Sequence, residues 1–234
     1  MEVPSGKDFT KQDLDLLKLM HCYGSIKHSK DGFTLKSGVR SEVYVMLRAD
    51  VTDNPDLGWA LGRKVAQVVA DNYRKSDKAP CLIGIPTAAT GIVAAASLAA
   101  KDNIRSLGGP ISYRVMRETV KDHGAGADNW VNGAYDDKHT FWVVDNVVTD
   151  CMSKIEAAER LTASGYPALE MPWLIVVDRQ QGGIERMKQH GFERIVVTYG
   201  LLDIAYAMGE LGLWPKSVVK SVEEEIAAHQ FLMA

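Results

Sequence analysis

Cysteine is scarce in this chain, and what there is cannot pair off. Cys22, Cys81 and Cys151 are an odd set of three spread along 234 residues. They spell neither a disulfide framework nor a zinc-ligand spacing, which points to a reduced, cytoplasmic setting. A basic excess is missing too. Lys and Arg number 27 against 30 Asp and Glu, a net charge of −3, so no broad cationic surface argues for nucleic acid. Long apolar runs are absent. The most apolar stretch, 92–100, is far too short to cross a bilayer, and the opening MEVPSGKDFTKQ lacks the basic-then-apolar order of a secretory signal. There is no internal repeat and no low-complexity tract. The remainder, 46% hydrophobic and 24% charged, is the composition of a globular protein whose length suits one large domain.

Residues 11–22 place Leu14, Leu17 and Met20 on one helical face. In 33–48, Phe33, Leu35, Val43 and Val45 alternate around a Ser-Gly turn, which predicts a pair of short hairpin-like strands. Asn54-Pro55 then opens a helix to about Tyr73, with proline at its first position. Beyond it, apolar segments at 81–86, 111–116, 141–146, 173–178 and 194–199 alternate with helical ones at 91–100, 154–164 and 183–189, and two helices close the chain. Such strands show no polar face, so they predict a parallel sheet covered on both sides. Ligands of such sheets sit at the carboxyl ends of the strands, here near Pro86, Asn146 and Asp178.

One lack is local. The turn Thr149-Asp150-Cys151-Met152-Ser153, between the strand ending in Asp145-Asn146 and the next helix, contains no glycine and carries an acid. Its free N–H groups could hold a phosphate. Equally, Ser153 and Glu156 form S-x-x-E, a capping box starting the helix at Lys154, with Asp150 an alternative cap. Asp145 and Asn146 could accept from ribose hydroxyls or merely cap a neighbouring turn. Arg179 could fork onto a carboxylate ligand, or pair with Asp178 or Glu185. The aperiodic stretch 118–139 holds three glycines and opens with Lys121-Asp122-His123-Gly124. It reads either as a solvated loop or as a lid that closes two donors over a polyanion.

Taken in order, these segments resemble orotate phosphoribosyltransferase. FTLKSGVRSEVYV is similar to that family's orotate-facing segment, and MRETVKDHG to its Arg…Lys-x-His-Gly loop. VVDNVVTDCMSK occupies the place of its phosphoribosyl-pyrophosphate signature, and VVDRQQGG is also similar. The resemblance spans roughly residues 10–232. It implies a type I phosphoribosyltransferase fold, an α/β parallel sheet flanked by helices with a small N-terminal hood. The hood segment would be 1–50 and the core 51–234. It implies transfer of phosphoribosyl from phosphoribosyl pyrophosphate (PRPP) to orotate, giving orotidine 5′-monophosphate and pyrophosphate in pyrimidine biosynthesis.

Magnesium would be the cofactor, held mainly by the substrate rather than by protein ligands. By position, Lys36 would reach orotate and the pyrophosphate region, Arg179 orotate, and Arg117 pyrophosphate. Lys121 and His123 would cover the site of a neighbouring subunit in a homodimer. Asp145 and Asn146 would meet the ribose, and Thr149, Asp150, Cys151, Met152 and Ser153 the 5′-phosphate. That phosphate reading requires the Asp150 side chain to turn outward.

The chain departs from the family pattern where charge matters. Asn146 stands in place of a second Asp, and Glu118 in place of a pyrophosphate lysine. Ala89 lies near another such lysine position, and Asp150, Cys151 and Met152 replace small residues. A hydrogen bond to a charged group is worth roughly 1.5–3 kcal/mol against ~1 for a neutral one, so slower turnover is expected. A non-catalytic relative that binds a nucleotide or PRPP is the alternative.

Overall fold

Five apolar segments assemble into one parallel sheet in the computed structural model, which describes residues 1–35, 38–74, 76–101, 110–119 and 130–231. The strands are β3 (Ala79–Gly84), β4 (Ser112–Val115), β5 (His139–Val148), β6 (Pro172–Asp178) and β7 (Arg194–Gly200). Their spatial order is β4-β3-β5-β6-β7, all neighbours parallel. Successive residues of a strand face opposite ways. In β5, Trp142 and Val144 enter one core while Phe141 and Val143 enter the other. In β6, Leu174 and Val176 join the first and Trp173 and Ile175 the second. Both faces are buried, which is why the strands read as continuous apolar runs. Trp142 and Trp173 are fully buried, and truncating either to alanine should cost roughly 3–5 kcal/mol.

The helices are α1 (Lys11–Cys22), α2 (Ala49–Asp53), α3 (Pro55–Asp71), α4 (Ala88–Ala100), α5 (Met152–Ala163), α6 (Gly183–Gln189), α7 (Leu201–Glu210) and α8 (Ser217–Ala228). Thr10 and Asp13 form a reciprocal capping box at α1, and Pro55 opens α3 as expected. Helices α3 and α4 pack backbone to backbone: a Cβ on Gly62 would lie 2.5 Å from the Ala95 carbonyl carbon. That closeness explains the small-residue composition of α4. The buried Asp13 carboxylate ties α1 to the rest, pairing with Lys64 at 2.6 Å and accepting from the Tyr199 hydroxyl at 2.7 Å.

The N-terminal hairpin is separate from the main sheet. Strands β1 (Ile26–Thr34) and β2 (Arg40–Val45) pair antiparallel, with an irregularity between His28 and Phe33. β1 begins seven residues before Phe33, earlier than the alternation predicts, because the polar run Lys27–Lys30 hides the pairing of Ile26 with Val45.

Three other boundaries differ from the sequence reading. Helix α4 starts at Ala88 rather than at residue 91, because Ala89 N–H already bonds Ile85 C=O and Ala88 and Ala89 are buried. Strand β5 runs past Asn146 to Val148, since Val147 and Val148 continue the ladder onto Val177 and Asp178. Helix α5 starts at Met152, not Lys154. Lys36, Lys121 and His123 lie outside the described residues. The limbs of the 118–139 stretch are tied where they are described: Met116 and Val131 form an antiparallel bridge, and Arg117 N–H donates to Trp130 C=O. No described helix is long and apolar enough to cross a membrane.

Candidate active site

The carboxyl ends of β3, β5 and β6 open into a cleft of about 440 Å³. Tyr44 and Arg48 of the N-terminal segment form one wall, Ile85 and Pro86 another, and Arg179 closes the β6 side. The floor is the β5–α5 junction: Asp145, Asn146, Thr149, Asp150, Met152, Ser153 and Lys154. Seven of the residues singled out in the sequence therefore meet in one place: Asp145, Asn146, Thr149, Asp150, Met152, Ser153 and Arg179. Arg117 is not among the lining residues, and Cys151 is buried beneath them.

The turn is made without glycine by bending a cysteine. Cys151 is the N-cap of α5 and sits at φ 64°, in the left-handed region, which costs a non-glycine residue about 1–2 kcal/mol. Its side chain joins the second core, and burial pushes its thiol pKa up. The turn is braced from behind by α6. A Cβ on Gly183 would meet Thr149 O at 2.5 Å, and Arg186 Nη1 donates to Asp150 O at 3.3 Å.

Two expectations for this turn are corrected. Ser153 and Glu156 do not form the helix cap: Cys151 is the N-cap residue and makes no side-chain cap bond, Asp150, the alternative cap, bonds the first turn, and Ser153 falls inside that turn. The reversal at Cys151 has already delivered the chain into the helix. Nor is Asp150 turned outward. Its Oδ1 accepts from Met152 N–H at 3.2 Å, so it engages one of the N–H groups at the start of the helix.

Arg179 is buried and well committed, but to neither of the acids near it in sequence. Its Nη2 pairs with Glu225 of α8 at 2.6 Å and donates to Ser41 Oγ at 2.8 Å, and its Nη1 donates to Val43 O at 3.2 Å. Gln181 donates to the same Glu225 oxygen at 3.0 Å. Arg179 Nε is buried with no partner among the described residues. A buried orphan donor typically costs ~1–3 kcal/mol, so it favours an acceptor brought by a ligand. Beside Arg179, burial raises the Asp178 carboxyl to about 6; the Gln180 N–H opposes this and Glu185 adds to it. Glu118, reached from Arg117, accepts the Thr87 hydroxyl beside Pro86.

The sequence reading missed Lys154. It is 3% exposed, and its ammonium pairs with Asp145 Oδ2 at 2.5 Å. It also donates to Val147 O, and to Ser153 Oγ at 3.3 Å. Asp145 Oδ1 accepts from Asn146 N–H at 2.9 Å. A signal was available: a lysine in the first turn of a helix opposes the macrodipole, so a buried one calls for a nearby carboxylate. Among the described residues no group of three or more His, Cys, Asp or Glu could hold a metal. With both Asp145 oxygens engaged, this floor does not fit a divalent cation bound directly by protein carboxylates.

Known proteins resemble this chain in sequence and in fold. The chain is 30% identical over 204 residues to the orotate phosphoribosyltransferase of Cenarchaeum symbiosum (strain A), covering 87% of this chain and 93% of that protein. It is 28% identical over 199 residues to the orotate phosphoribosyltransferase of Nostoc sp. (strain PCC 7120 / SAG 25.82 / UTEX 2576), covering 83% and 87%. The Leishmania donovani UMP synthase structure superposes with a TM-score of 0.72 at 21% identity over 92% of this chain. The chain spans 42% of that longer protein. No protein-family model matches. Sequence similarity along most of the chain, on a parallel sheet whose strand ends gather Asp145, the 149–153 turn and Arg179, shows that this chain belongs to the orotate phosphoribosyltransferase family.

Proposed function

We infer that this chain transfers the phosphoribosyl group of PRPP to orotate, giving orotidine 5′-monophosphate and pyrophosphate. The observation that carries this reading is one cleft in which a helix-opening anion turn and a buried arginine with an unmet donor share walls. The relatives named orotate phosphoribosyltransferase supply the identity of the base.

The chain's own groups divide the work as follows. The 5′-phosphate lies over residues 149–153, accepting from backbone N–H groups, the Thr149 hydroxyl and the Ser153 hydroxyl. To admit it, the Asp150 carboxylate swings off Met152 N–H, so this acid weakens phosphate binding. Asp145 takes ribose hydroxyls. An ionised carboxylate has about four lone-pair sites, so it keeps room beyond Lys154 and Asn146 N–H. Asn146 offers its amide oxygen to a second hydroxyl. Arg179 meets the orotate carboxylate through Nε, while Glu225 and Ser41 hold the guanidinium in place.

As the C1–O bond breaks, positive charge grows on the ribose and negative charge on the departing pyrophosphate. Fixed donors aimed at that oxygen stabilise the change by ~2.7–4 kcal/mol each. Arg117, Lys36, Lys121 and His123 are proposed for this task. Lys121 and His123 would reach the site of a second copy in a homodimer. Magnesium, when bound, would be held mainly by the substrate and would supply charge neutralisation for the departing pyrophosphate. The three free cysteines suit a cytoplasmic setting.

Mixing pure protein with orotate, PRPP and magnesium tests the reading. Orotate absorbance should fall with one pyrophosphate released per orotate consumed. No loss of orotate at high protein concentration, with PRPP still bound, would replace catalysis by binding alone.

A further inference from the structure

At the β5 end the Asp145 carboxylate pairs with the ammonium of Lys154 from the first turn of α5. Asp145 and Lys154 are 5% and 3% exposed, and 2.5 Å separates Oδ2 from Nζ. Both line the cleft, beside the neutral amide of Asn146. The lysine's position in the first turn of α5 is unfavourable for a cation, and its burial carries a desolvation cost. Among the described residues, the carboxylate, the Val147 carbonyl and the Ser153 hydroxyl compensate it. The charges of Asp145 and Lys154 cancel, so this pair adds no net charge to the floor of the cleft, and the remaining charge there is that of Asp150.

We propose that Lys154 is a built-in counter-cation for Asp145, standing where a divalent cation would otherwise bind that carboxylate. This rests on the phosphoribosyl reading of the cleft and deepens it. The ammonium has two effects. It fixes the rotamer of Asp145, leaving the remaining lone pairs of the carboxylate to the ribose hydroxyls. It also repels a second cation, so the free protein holds no metal at this strand end and the sugar binds there without one. Lys154 is thus a positioning residue acting through Asp145. Its bond to Ser153 Oγ, the longest of its three, is the one that loosens when the Ser153 hydroxyl turns to a phosphate.

Manganese titration of the ligand-free protein, read by electron paramagnetic resonance, gives a readout independent of turnover. The wild-type protein should bind no Mn²⁺ that depends on Asp145. Folded Lys154→Met should gain one equivalent, lost again in Lys154→Met/Asp145→Asn. Wild-type binding that disappears in Asp145→Asn would overturn the proposal, and that comparison stands even if Lys154→Met does not fold. A folded Lys154→Met that gains no Mn²⁺ would overturn it too.

PRPP binding in the presence of a chelator supplies the second readout. Lys154→Met should bind about 10- to 100-fold more weakly than wild type, the worth of one charged hydrogen bond, and added magnesium should restore most of the loss. Equal metal-free affinity in the two proteins would refute the role. If PRPP fails to bind the wild-type protein while the manganese pattern holds, the phosphoribosyl reading fails and the counter-cation stands.

Discussion

Removing Glu225 should unsettle the chain far more than an ordinary helix substitution, and it should do so through Arg179. The two side chains are 7% and 3% exposed and lie 2.6 Å apart. Glu225→Ala leaves the guanidinium buried with Ser41 Oγ and Val43 O as its acceptors among the described residues. Breaking a buried ion pair from one side typically costs 3–5 kcal/mol, because the remaining charge is uncompensated. Arg179→Met removes the buried cation and leaves Glu225 the Gln181 amide as a donor, so it should cost less. The double variant should then be more stable than Glu225→Ala alone, giving a coupling of ~2 kcal/mol or more.

Urea unfolding of the wild type, both single variants and the double variant measures this directly. Additive effects, or a Glu225→Ala loss below about 1 kcal/mol, would show that the pair does not exist as described. Because Glu225 also holds Arg179, the proposed orotate ligand, in the cleft, its loss should raise KM for orotate more than it lowers kcat.

Three further outcomes follow from particular residues. The folded chain holds the Asp178 carboxyl at about 6 against an ordinary 3.8, so it keeps a proton that the unfolded chain releases between those values. This group's contribution to stability is therefore greatest at low pH and is lost as pH rises through about 6, a change of ~3 kcal/mol. Asp178→Asn should flatten that slope in melting curves and stabilise the protein at about pH 8; an unchanged slope would contradict the burial argument. At Cys151, with φ 64°, glycine should give a protein about 1 kcal/mol more stable than alanine does; equal stability would mean the turn is not left-handed. Asp150→Asn removes a charge beside the phosphate and should lower KM for PRPP roughly fivefold, from ~1 kcal/mol of relieved repulsion; a higher KM would show that the acid helps binding.

The sheet was legible because burial on both faces leaves unbroken apolar runs, and each of the five runs became a strand. The strand-to-turn-to-helix order at 143–165 was equally legible, and it led to Asp145, Thr149 and Ser153 in the cleft. Long-range pairings were not. Arg179 and Glu225 stand 46 residues apart on different elements, and nothing local joins them. Lys154 was hidden by the S-x-x-E pattern around it: read as a cap, Ser153 and Glu156 make the residue between them unremarkable. The left-handed cysteine moved the helix start two residues forward and undid that reading. Asp150 was misjudged for a related reason. An aspartate two residues before a free N–H bonds to it locally in the absence of a phosphate.

The central claim is that this glycine-free turn holds a sugar phosphate. A crystal structure of the protein with orotidine 5′-monophosphate tests it most directly. The account predicts the 5′-phosphate on the N–H groups of residues 151–153 and the Thr149 hydroxyl, with the Asp150 carboxylate swung away and Asp145 on the ribose. A nucleotide bound elsewhere, with Asp150 still on Met152 N–H, would contradict it.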